Sequence, residues 1–134
     1  MEFSEDELRI REGYIPLISV VDDDESVRES LPDLLRAFGF TAMAFSSAEE
    51  FLASRELDKT NCLILDVAMP GLSGPDLQQE LVRRHQYIPI VFITANRDAK
   101  IRPGLIAQGA IECLFKPFSE TELLQALNNA LGAS

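Results

Sequence analysis

No stretch of this sequence is apolar for long enough to cross a bilayer, and the N-terminal "MEFSEDELRIREGY" lacks the continuous apolar segment of a secretory signal. A cytoplasmic protein is the expectation. Basic side chains are also scarce: 12 Lys and Arg stand against 22 Asp and Glu, a formal charge of −10. Phosphate backbones reward cations, so this balance argues against a nucleic-acid surface. Cysteine is limited to Cys62 and Cys113, each inside an apolar run and without metal-ligand spacing. Both are expected to be buried free thiols. Neither internal repeats nor a low-complexity linker divides the 134 residues, a length that suits one domain.

What is present is an alternation. Five short apolar runs, "PLISVV", "TAMAF", "CLILD", "IVFIT" and "IECLF", are separated by helical patterns. That rhythm predicts an α/β fold with a parallel sheet covered on both faces. Right-handed crossovers favour the flavodoxin-like doubly wound (βα)5 order 2-1-3-4-5. Val27, Leu31, Leu34, Leu35 and Phe38 form a stripe on the first helix, which Gly39 ends. Leu123, Leu124, Leu127 and Leu131 do the same on the last. Ser47 with Glu50, and Ser119 with Glu122, have capping-box spacing, and Asp24 is expected to be a plain helix cap. Residues 1–14 form an acidic extension ahead of the domain at 15–134. In it, Phe3-Ser4 and Glu7-Leu8 predict a short helix, with a frayed tail as the alternative.

Four runs end in polar residues: Asp22 and Asp23, Asp66, Thr94, and Lys116. In open α/β sheets the carboxyl edge near the reversal of strand order is where ligands bind. The predicted order makes the strands carrying Asp22, Asp23 and Asp66 neighbours there. Three carboxylates so placed repel one another unless a cation is present. Oxygen ligands with no adjacent His or Cys fit Mg²⁺ rather than zinc. With a lysine and a hydroxyl beside them, the set can hold a phosphoryl group, with Asp66 as nucleophile forming an acyl phosphate.

The motifs "VVDDDESVR", "LILDVAMPGLSG", "VFITA" and "GAIECLFKPF" resemble the receiver domain of two-component response regulators, in particular the FixJ-like group. The resemblance runs from about Ile15 to Leu131. It implies that Asp66 is the phospho-acceptor for a sensor histidine kinase and that Asp23 ligates Mg²⁺ directly. Asp22 would help through water, and the backbone carbonyl of Ala68 would add a ligand. Thr94 and Lys116 correspond to the switch hydroxyl and the phosphate-pairing lysine, and the Lys116–Pro117 bond is expected to be cis. Such a module is a non-turnover acceptor that relays its state by contact with a downstream protein or output domain. The family leaves open a homodimer through the fourth helix, fifth strand and fifth helix. A stand-alone receiver is slightly favoured over a piece of a transcription factor, because little follows the last helix.

Three departures stand out. Cys113 occupies the position where receivers carry an aromatic switch residue. Pro103-Gly104 falls within the expected fourth helix, predicting that it starts late, kinks or is partly unwound. Pro32 falls on the polar side of the first helix and predicts a bend. Two other functions compete with this reading. An aspartate-nucleophile phosphohydrolase would need a second Asp where Ala68 stands, and a flavodoxin-like cofactor carrier would need a phosphate loop where "DDDES" stands. A docking module that no longer accepts phosphate is the remaining alternative.

Overall fold

A computed structural model describes residues 15–132. The expected helix in residues 1–14 lies outside the described residues. Five parallel strands lie in the order β2-β1-β3-β4-β5, as predicted. They are β1 (Leu17–Val21), β2 (Thr41–Phe45), β3 (Cys62–Asp66), β4 (Ile90–Thr94) and β5 (Glu112–Phe115). The connecting helices are α1 (Glu25–Ala37), α2 (Ala48–Leu52), α3 (Gly74–Arg83), α4 (Ile101–Ala107) and α5 (Glu120–Gly132). A 3-10 turn at Leu57–Lys59 precedes β3.

Every residue of β3 and β4 is buried, which explains why those runs are apolar without alternation. Successive side chains go to opposite faces. Cys62, Ile64, Val91 and Ile93 join Leu31 and Leu35 of α1 and Leu123 and Leu127 of α5. Leu63, Leu65 and Phe92 join Phe51 of α2, Leu77 and Leu81 of α3, and Leu105 of α4. Each such side chain contributes roughly 1.5–3 kcal/mol on burial. These two apolar layers fix the strands in register, and the register brings their polar ends together. Cys62 and Cys113 are both buried and free.

Local signals set the helix ends. Asp24 caps α1 by accepting from the Ser26 N–H at 2.9 Å, and Gly39 follows α1 at φ 98°. Ser119 and Glu122 make a reciprocal box before α5, at 3.0 and 3.1 Å. At α2 only half the box forms: Ser47 accepts from the Glu50 N–H, while the Glu50 carboxylate takes the Ser46 hydroxyl. A further full box, Ser73 with Asp76, starts α3.

Two helix expectations need correcting. Pro32 lies inside α1 but is buried beside Leu31 and Leu35, so its ring packs on the core and not on a polar side. Leu124 is exposed rather than part of the α5 stripe. The expectation of a late start for the fourth helix holds: α4 begins at Ile101, which puts Pro103 in the first turn. There its missing N–H has no intrahelical acceptor to lose.

Candidate functional site

The parallel register aligns the carboxyl ends of β1, β3, β4 and β5, so that Val21 pairs with Leu65, Asp66 with Ile93, and Thr94 with Phe115. Asp22 and Lys116 each lie one residue past a strand end. The carboxylate oxygens of Asp22, Asp23 and Asp66 come within 4.8 Å of one another. Asp22 is fully buried and Asp66 only 7% exposed. Asp23 is exposed at the mouth.

Lys116 supplies the positive charge. Its Nζ donates to Asp22 Oδ2 at 2.8 Å and stands 3.9 Å from Asp66 Oδ1. The other Asp22 oxygen, Oδ1, accepts from the Asp24 N–H at 2.9 Å. Both oxygens of Asp22 therefore already have protein donors. Thr94 is buried, with its hydroxyl oxygen accepting from the Asn96 N–H at 3.0 Å. Its carbonyl accepts from the Lys116 N–H at 2.8 Å, which ties β4 to the lysine. Ala68 sits exposed on the loop leaving β3, two residues beyond Asp66. The Lys116–Pro117 bond is cis.

The electrostatics follow from this crowding. Burial first, then the negative charge of Asp22, push the Asp66 carboxyl up to about 7; Lys116 opposes this, and Asp23 adds to it. For Lys116 burial acts to lower the pKa, but the Asp22 hydrogen bond and the surrounding carboxylates prevail and raise it. The cluster is thus short of positive charge even with its lysine. An all-oxygen donor set with that deficit suits a hard divalent cation, whose ligand oxygens lie roughly 3–4 Å apart around Mg²⁺.

Two further residues shape the cleft that the motifs alone did not single out. Arg28, one turn into α1, donates from Nη1 to the Asp22 carbonyl at 3.1 Å. Gly74, the first residue of α3, is held by its N–H to the Val67 carbonyl at 3.0 Å. A Cβ there would lie 2.4 Å from the Asp66 carbonyl oxygen and 2.9 Å from Phe92 Cε1. Only a glycine lets α3 start so close to the strand that presents Asp66. The "VDDDESVR" and "GLSGP" motifs contain both residues, but only the folded approach reveals what they touch.

Comparison with known proteins agrees with this geometry. A family model described as the response regulator receiver domain matches residues 18–128. Nodulation protein W of Bradyrhizobium diazoefficiens is 47% identical over 111 residues, covering 83% of this chain and 49% of that protein. The response regulator protein TodT of Pseudomonas putida is 42% identical over 124 residues, covering 92% and 55%. The chain thus spans about half the length of these curated relatives. Among solved structures, the response regulator StyR superposes with a TM-score of 0.81 at 46% identity, covering 89% of this chain and 60% of that one. The FixJ-N structure gives 0.80 at 31%, covering 89% and 95%. Strand order, the acidic edge and sequence agree: the chain belongs to the receiver domains of two-component response regulators.

Proposed function

We propose that Asp66 is the phospho-acceptor of this receiver and that a sensor histidine kinase is its donor. The observation that carries the reading is the meeting of three carboxylates and Lys116 in one cleft. An Asp66 oxygen attacks phosphorus, a P–O bond forms, and the P–N bond to the donor imidazole breaks with its electron pair leaving on nitrogen. When bound, Mg²⁺ supplies charge neutralisation for the phosphoryl oxygens. Asp23, Asp66 and the Ala68 carbonyl would hold it directly, while Asp22, whose oxygens already accept from Lys116 and Asp24, would act through water. Lys116 would shift from Asp22 to the phosphoryl oxygens, and Thr94 would turn its hydroxyl toward them.

On this reading the domain, from residue 15 onward, is a cytoplasmic, non-turnover switch that makes and loses an acyl phosphate. It signals by contact with an effector protein or output domain, for which the face of α4, β5 and α5, also a homodimer surface, is the proposed route. A phosphohydrolase reading lacks support at Ala68, where its acid would stand.

The test is to incubate the protein with Mg²⁺ and acetyl phosphate and weigh it intact. One phosphoryl adduct is expected, lost in Asp66→Ala and reduced in Asp23→Ala or without Mg²⁺. An adduct persisting in Asp66→Ala would overturn the assignment.

A further inference from the structure

Asp22, just past the end of β1, has a partner for every polar group it carries. Its N–H donates to the Phe45 carbonyl at 3.1 Å. Its two carboxylate oxygens accept from the Asp24 N–H at 2.9 Å and from Lys116 Nζ at 2.8 Å. The remaining group, the backbone carbonyl, accepts from Arg28 Nη1 at 3.1 Å. A fully buried residue needs each of these partners, because an unpaired backbone group away from water is costly.

Arg28 reaches that carbonyl from the first turn of α1. Asp24 fixes where the helix starts, its Oδ1 accepting from the Ser26 N–H and hydroxyl at 2.9 and 2.8 Å. The Arg28 N–H then donates to the Asp24 carbonyl at 3.1 Å, the first bond of the helix ladder. The half-buried side chain therefore doubles back over six residues to the strand end.

The carbonyl it grips belongs to the peptide that joins Asp22 to Asp23. That peptide is planar, so holding its oxygen fixes the plane and the direction in which Asp23 leaves it. Asp23 is exposed on the short connection between β1 and α1, with its carboxylate within 4.8 Å of those of Asp22 and Asp66. Asp66 needs no such support, since it is the last residue of a buried strand and pairs with Ile93. Of the two carboxylates assigned directly to the cation, the one off the sheet is the one the arginine steadies.

Arg28 also brings a permanent positive charge to this end of the sheet, and its two effects on a divalent cation have opposite signs. Charge alone repels the cation, so removing it would tighten binding. The hydrogen bond holds a ligand in its bound direction beforehand, so removing it would weaken binding. Water and salt screen the charge at the exposed mouth, whereas the hydrogen bond to a buried residue's carbonyl is not screened away.

We infer that Arg28 is a positioning residue: by holding the Asp22 carbonyl it aims Asp23 at the acidic cleft, and so sets the affinity of the cleft for a divalent cation. This deepens the proposed function and rests on it for the ligands of the ion. Groups that orient a metal ligand from behind change affinity by about 10–100-fold when removed. The lower end applies here, because Asp23 is one ligand among several.

Titration of the metal-free chain with Mg²⁺, followed by NMR through the amide shifts of the cleft, tests the role. Arg28→Met keeps the apolar stem and removes the donors, and is expected to bind Mg²⁺ about tenfold more weakly. Arg28→Lys keeps a charged donor on a slightly shorter stem and is expected to recover most of that loss. The effect must pass through Asp23, so in an Asp23→Ala background Arg28→Met is expected to change affinity by less than about twofold. Equal or tighter binding in Arg28→Met overturns the inference, as does Arg28→Lys binding as weakly as Arg28→Met. A full effect that persists in Asp23→Ala overturns it too, because the arginine would then act through the fold at large.

A second readout needs no cation. Amide order parameters of Asp23 and Asp24, roughly 0.85 in rigid backbone, are expected to fall toward about 0.6 in Arg28→Met, while Leu63 to Leu65 keep the parent values. Parent-like values at Asp23 and Asp24 in that variant count against the inference. Absence of Mg²⁺ binding by the parent chain counts instead against the ligands assigned in the proposed function, and the order parameters still decide the role of Arg28.

Discussion

Lys116 is closer to Asp22 than to Asp66: its Nζ lies 2.8 Å from Asp22 Oδ2 and 3.9 Å from Asp66 Oδ1. The lysine is thus bound to a fully buried carboxylate. Removing one partner of such a pair leaves the other charge uncompensated. Lys116→Ala is expected to destabilise the metal-free protein by roughly 2–4 kcal/mol in urea unfolding. Mg²⁺ should recover more stability in the variant than in the parent, because the cation replaces the lost positive charge. Equal Mg²⁺ effects on the two proteins would show that the lysine does not compensate the cluster.

The raised Asp66 carboxyl makes stability depend on pH. Unfolded, this group titrates near 3.8; folded, it titrates near 7. Between those values the folded state keeps a proton that the unfolded state has released, so stability falls as pH rises through the window and levels off above it. Lys116, also raised, adds stability that is lost only in strongly alkaline solution, and so does not contribute here. Metal-free protein is expected to lose about 1 kcal/mol between pH 6 and pH 8. Asp66→Asn should flatten that slope and be the more stable protein at pH 8. Millimolar Mg²⁺ should flatten it too, by favouring the ionised carboxylate. Thermal or urea unfolding across the range checks all three, and a parent-like slope in Asp66→Asn would place the titrating group elsewhere.

Much of this cleft was legible because a parallel sheet converts position in sequence into position in space. Each apolar run ends where its strand ends, so Asp22, Asp66, Thr94 and Lys116 could be placed on one edge from the text alone. Asp24, the plain helix cap, was legible for a local reason, since its acceptor and the Ser26 N–H are two residues apart. Pro32 was misread because the leucine stripe understates the buried arc of α1. That helix packs on both β1 and the edge strand β2, so its covered face is wider than one stripe. The contacts of Gly74 and Arg28 depend on how closely separate elements approach, and no spacing in the chain encodes that distance. Asn96 and Asp98, whose side-chain oxygens accept from the Asp98 and Lys100 N–H groups, lie in a stretch that signals only a loop until the hydrogen bonds are seen.

Gly74 is a tightly confined backbone position beside the acidic cleft, against the Asp66 carbonyl. Gly74→Ala must push α3 away from the Asp66 carbonyl, since 2.4 Å is far inside contact distance and the opposing atom is backbone. A cost of roughly 2–3 kcal/mol is expected, as for overpacking elsewhere in a rigid core. The displaced loop carries Ala68, so the rate of adduct formation with acetyl phosphate should fall more than stability alone accounts for. Measuring that rate well below the unfolding transition separates the two effects. A normal rate in a folded Gly74→Ala variant would show that α3 is free to shift without moving the cleft.

Gln78 is a different case, a buried polar side chain on α3 whose Oε1 has no partner among the described residues. Its Nε2 donates to the Gln108 carbonyl at 3.2 Å, which fixes the amide and leaves the oxygen facing inward. An unsatisfied acceptor costs about 1–3 kcal/mol, more than the single hydrogen bond returns. Gln78→Leu removes that cost, and the carbonyl of Gln108, an exposed residue, can turn to solvent. The variant is expected to be more stable than the parent by about 1 kcal/mol, read as a higher urea midpoint at unchanged slope. Gln78→Glu, which buries a charge at the same place, should be less stable than either. Destabilisation by leucine would mean that Oε1 accepts from an ordered water in solution, and that the space beside Gln78 is wet.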